Sequence, residues 1–158
     1  MSDLNSIIQV IQLMLAPGLM ISACGLLLLG MNNKYSLVVN RIRLLNEERR
    51  RVLGKAGDRD FTSEENVRLE SISLQIEKLT LRVRLVRNAV LSYTIAVALF
   101  VITSLLIGIQ YFAVVNFNVL ITIIFLLGML SVFAGVLYAA YETKEGYDII
   151  QLEVKIDE

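Results

Sequence analysis

The chain has 158 residues, 56% of them hydrophobic and only 19% charged, with one cysteine and no histidine. So oily a composition excludes a water-soluble fold of this length, and a lone cysteine excludes an internal disulfide. The formal net charge is zero, but the charges are segregated, because thirteen of the fifteen bases lie between Lys34 and Arg87.

No charge occurs from Leu4 to Asn33, nor in the 54 residues from Asn88 to Tyr141. A bilayer core takes about 20 apolar helical residues per crossing. The first stretch therefore predicts one span and the second predicts two. The middle segment sets thirteen bases against eight acids, a net +5, whereas from Glu142 onward two lysines face six acids. Loops rich in Lys and Arg stay on the cytoplasmic side. The expected topology has the middle segment and the acidic tail inside and the N-terminus and the turn near Asn116 outside.

Residues 1–5 form the outer N-terminus, and the first span covers 6–31. Pro17 removes one backbone donor and is expected to bend this helix. Ile21-Ser22-Ala23-Cys24 matches a lipoprotein cleavage pattern, but no base precedes it and the apolar run continues through Leu29. Such signals start with positive charge, so the span is expected to be retained. On a helical projection Asn5, Gln9, Gln12, Ala16, Ala23 and Gly30 fall near one line, with Pro17 beside it. Glutamine in hydrocarbon is costly unless it meets another helix or water. The stripe thus reads either as the lining of a pore on a symmetry axis or as a helix-packing face.

Residues 32–87 predict a cytoplasmic helical hairpin. Val38, Ile42, Leu45 and Val52 lie at helical spacings on its first arm. A glycine- and charge-rich turn, Gly54-Lys55-Ala56-Gly57-Asp58-Arg59-Asp60, then breaks the helix. Thr62 followed by Glu65 is a capping box for the second arm. Leu69, Ile72, Ile76, Leu79, Val83, Val86 and Val90 follow at spacings of three and four, a coiled-coil seam. Its partner is expected to be the first arm, folded back antiparallel, and the seam runs into the second span. Arg41, Arg43, Arg82, Arg84 and Arg87 cluster where this stalk leaves the membrane, placed to contact lipid headgroups or acids of a neighbouring subunit.

The second span covers 88–109, an outer turn 110–117, and the third span 118–141, with Tyr111, Tyr138 and Tyr141 suited to the interfacial belts. Ser131, Gly135 and Ala139 make a small-residue stripe that lets helix backbones approach closely. In the tail, 142–158, Ile150, Leu152, Val154 and Ile156 alternate with polar residues, the period of a half-buried strand. A lone strand is unstable, so this tail is expected either to pair with the tails of other copies or to be a frayed amphipathic end.

Without histidine, and with the cysteine inside a span, the usual nucleophile–base pairs cannot be built. No enzyme activity, cofactor or metal is expected. No nucleic-acid partner is expected either, since no aromatic is interleaved among the bases. The expected partners are the lipid bilayer, further copies of the chain, and a cytoplasmic protein at the hairpin.

Three blocks carry a family likeness. They are Gln12-Leu13-Met14-Leu15-Ala16-Pro17 through Ile21-Ser22-Ala23-Cys24-Gly25-Leu26-Leu27-Leu28-Leu29-Gly30, then Asn40-Arg41-Ile42-Arg43-Leu44-Leu45, then Leu81-Arg82-Val83-Arg84-Leu85-Val86-Arg87-Asn88-Ala89. Over roughly residues 7–140 the chain resembles the bacterial family called domain of unknown function 2721. The resemblance implies a multi-pass bacterial membrane protein with a cytoplasmic hairpin, and it brings no activity with it.

Overall fold

The computed structural model describes residues 2–56, 62–113 and 116–156, with side chains over 7–54, 62–112 and 116–146. All regular structure among them is helical: α1 (Ser2–Ala56), α2 (Ser63–Ala113) and α3 (Asn118–Ile156). Each helix contains a stretch long and apolar enough to cross a membrane.

The ends of these helices follow from local chemistry. At the start of α2 the Thr62 backbone N–H donates to the Glu65 carboxylate at 3.0 Å, one arm of the capping box. Glu64 and Glu65 place negative charge on the first turn, where the helix dipole favours it. Gln110 holds the start of α3. Its amide oxygen accepts from the Phe117 N–H at 2.9 Å, and its amide nitrogen donates to the Asn118 side chain at 2.7 Å. Pro17 lies inside α1 with its ring buried, and the helix continues on both sides of it.

The tail departs from the strand expectation. Ile150, Leu152, Val154 and Ile156 all lie in α3, so the described residues hold no β-like tail. A strand would leave its backbone groups without a neighbour, whereas a helix arriving already wound satisfies them within itself. The alternation also concealed a helical reading, because Ile149, Leu152 and Ile156 sit at spacings of three and four.

Buried positions recur every seven residues along each helix. On α1 they are Pro17, Cys24, Met31, Val38 and Leu45, and on α2 Ile72, Leu79, Val86, Tyr93 and Phe100. On α3 they are Gly128, Gly135 and Glu142. Seven residues are close to two helical turns, the repeat that neighbouring helices can share over many turns.

The fold divides into two compact units, Met1–Met31 with Asn88–Tyr138, and Asn32–Arg87 with Ala139–Glu158. In the first unit Cys24, Ala96 and Phe100 form the core, packed by Met20, Ile21, Val97, Phe125 and Val132. The Phe100 and Phe125 rings meet at 5.5 Å. Two glycines of α3 admit the large rings of α2. A Cβ on Gly128 would lie 2.8 Å from the Phe100 ring, and one on Gly135 2.6 Å from the Tyr93 ring. Between them the Ser131 hydroxyl donates to the Ser92 carbonyl at 2.8 Å. Apolar side chains such as Leu26, Leu105, Leu130 and Phe133 face outward, as a lipid-exposed surface requires.

In the second unit Val38 and Leu45 of α1 pack with Ile72 and Leu79 of α2, joined by Ile42, Ile76 and Val83. Towards the end of α1 and the start of α2, Arg68 Nε donates to Glu48 Oε1 at 2.9 Å across the two helices.

Candidate functional site

Two features of the fold are candidates for function: the polar stripe of α1 and a buried charge centre in the second unit. Gln9, Gln12, Ala16, Ala23 and Gly30 are all exposed, while Pro17 is buried. The structure thus separates Pro17 from the stripe and leaves the stripe uncovered by α2 or α3. The side chain of Asn5 lies outside the described residues.

The charge centre is built on Glu142. This residue follows the third apolar stretch directly and holds the position seven residues beyond Gly135 that faces inward. Its side chain is fully buried. An ionised carboxylate is tolerated in such a place only when paired and hydrogen-bonded, and both conditions are met. Lys34 Nζ of α1 donates to Oε2 at 2.8 Å. Arg82 of α2 donates to Oε1 through Nη2 at 2.7 Å and Nε at 3.3 Å. Lys34 also reaches the Thr143 hydroxyl at 3.3 Å, and that hydroxyl donates back to the Ala139 carbonyl at 2.9 Å.

Burial pushes the Glu142 carboxyl up, but the hydrogen bonds and positive charges of Lys34 and Arg82 outweigh it and hold the group below the ordinary carboxylate range. Two cations on one anion leave the centre at net +1. The arrangement clamps α1, α2 and α3 to one another within this unit. Every lone pair it uses is occupied by a protein donor, so it is a clasp rather than an open acid–base pair.

The arginines singled out by sequence divide accordingly. Arg82 is half-buried on Glu142, whereas Arg41, Arg43, Arg84 and Arg87 point outward. Of the seam residues, Ile72, Leu79 and Val86 are buried, and Leu69, Ile76, Val83 and Val90 are half-buried. Ser131 and Gly135 touch α2 as described, and Ala139 is half-buried.

Sequence reasoning missed Lys34 and Glu142 as partners, reading one as a topology signal and the other as the first residue of a tail. A signal did exist: Glu142 is the first charge after 54 uncharged residues, and it continues the seven-residue line of Gly128 and Gly135. Gly128 was missed for the same reason. Among the described residues no three acids or thiols gather in a way that could hold a metal ion.

Three membrane-length apolar helices and no strand among the described residues define an all-helical, multi-pass membrane protein. The chain belongs to the family described as Protein of unknown function (DUF2721), whose model matches residues 14–152. No curated protein and no solved structure matches it.

Proposed function

We propose that the chain assembles into a homo-oligomer of channel-like character in a bacterial inner membrane, with the first span lining the axis. Residues 32–87 form an antiparallel coiled-coil stalk in the cytoplasm, and no chemical step is catalysed. The observation that carries this reading is the exposure of Gln9, Gln12, Ala16, Ala23 and Gly30 on α1. Polar side chains on an otherwise apolar span need water or another helix, and in this chain neither α2 nor α3 supplies that contact. A ring of copies with this stripe on its axis satisfies the glutamines with water. The absence of charge within the spans suits a passive pore better than an ion-coupled transporter.

Reconstitution in liposomes tests it. Wild-type protein is expected to raise ion flux and single-channel activity above empty bilayers, and Gln9→Leu/Gln12→Leu to reduce both at least several-fold. An assembled oligomer that conducts nothing sinks the channel reading.

The second reading is a non-conducting scaffold whose hairpin docks a cytoplasmic protein. It is favoured by the large apolar side chains exposed on the hairpin, Leu44 and Leu74 among them. Its signature is a silent bilayer together with loss of a bound protein when those leucines are made polar.

A further inference from the structure

The segment from Lys34 to Arg87 carries thirteen bases and eight acids, a composition suited to water. Within it, however, Leu37 and Leu44 of α1 are 70% and 58% exposed, and Val67, Leu74 and Leu81 of α2 are 65%, 55% and 46% exposed. Single exposed leucines are ordinary. These five fall on two lines with a spacing of seven, the mark of a helix seam. On α2 the exposed line runs two residues after the buried Ile72 and Leu79, about 200° round the helix and so on the side away from α1. The hairpin therefore has an inner seam that is filled and outer seams that are not.

We infer that these outer faces are the contact between neighbouring copies of the chain, with α1 of one copy seated against α2 of the next. The inference rests on the homo-oligomer proposed above. Copies inserted the same way round present equal heights to one another, so the test of fit is what lies level with what. The ion pair Glu48–Arg68 fixes one level of the hairpin. Fourteen residues further from the turn on each helix, Lys34 and Arg82 share Glu142 and fix another. In that register Leu44 lies level with Leu74, and Leu37 with Leu81, to within two residues, about 3 Å of rise.

Charge follows the same register. Arg41 lies between Leu37 and Leu44, and Glu77 lies level with it between Leu74 and Leu81. Neither makes an ion pair with a described residue of its own chain. Seating α1 on the neighbour's α2 therefore matches leucine with leucine and Arg41 with Glu77. Pairing α2 with α2 would instead set Glu77 against Glu77, which is repulsive. Unlike faces in contact make a head-to-tail interface, which closes into a ring when the rotation from copy to copy divides the full circle.

The test uses the full chain in detergent. Mass measurement of the unmodified protein comes first: a monomer overturns the oligomer and this contact together. Cysteine cross-linking then addresses the contact alone, with the unmodified chain and its buried Cys24 as the control. Leu37→Cys with Leu81→Cys is expected to give a ladder of covalent dimers, trimers and higher species under mild oxidation. Either substitution alone should give none. A ladder missing from a proven oligomer overturns the contact while leaving assembly intact, and so do dimers formed by Leu81→Cys alone. As a second measurement, Arg41→Glu and Glu77→Arg are each expected to lower the oligomeric fraction several-fold and their combination to restore it. Failure of that restoration counts against the pairing.

Discussion

Glu142 and Gly135 stand seven residues apart on the same inward line of α3 and solve opposite problems. Gly135 contributes only the absence of a side chain, against a Tyr93 ring that is itself buried. We expect Gly135→Val to destabilise the protein by about 1–3 kcal/mol through overpacking, read as a lowered thermal midpoint by circular dichroism in detergent. An unchanged midpoint would mean that Tyr93 can move aside. Glu142 contributes a charge that must stay paired. Glu142→Gln is expected to cost about 3 kcal/mol, at the low end for a broken buried pair because Lys34 keeps access to solvent. The pH dependence has a definite sign. The folded-state carboxyl titrates lower than the unfolded one, so its contribution is complete above the ordinary carboxylate range and fades as pH falls through the lowered value. Acidification from about pH 5 to pH 3 should therefore narrow the gap in stability between wild type and Glu142→Gln. A gap that widens instead would contradict the clasp.

Among the elements, the packing of α1 against α2 was legible in sequence because its signal is local and repeated. Ile72, Ile76, Leu79 and Val83 each vote for the same face, and the first arm answers with Val38, Ile42 and Leu45. The prediction at this scale is a contrast between adjacent residues. Leu45→Ala should cost about 2–5 kcal/mol by opening a cavity. Leu44→Ala should leave the fold of a single chain within about 0.5 kcal/mol and act on assembly instead. Denaturation of the two variants in the same detergent separates the faces, and equal losses would mean that the seam has been placed wrongly. The tail was ambiguous in sequence because four alternating residues are too few to fix a period, and Ile149, Leu152 and Ile156 satisfy a helical spacing equally well. Capping was readable at Thr62 and Glu65, where both partners lie within one turn.

For the whole molecule, hydropathy pointed to three apolar stretches, and each of the three helices holds one, since hydropathy over about 20 residues is a sum and tolerates local exceptions. What the sum could not convey is which charges meet. Lys34 and Glu142 are 108 residues apart, and no window short enough to be read as a pattern contains both. Gly128 was hidden for a related reason, because its value depends on which helix comes to lie against it.

That separation along the chain also sets an order of events in time. The Glu48–Arg68 contact closes a loop of 20 residues, so the hairpin can zip as soon as its second arm emerges. The grip of Lys34 and Arg82 on Glu142 must wait for synthesis of nearly the whole protein, spanning 108 and 60 residues. Long-range contacts of this kind form late, and domains made first fold first during synthesis. Until Glu142 arrives, Lys34 and Arg82 remain unneutralised by it. The clasp is thus also a clock: closing it marks the moment at which the third helix has been delivered to its place.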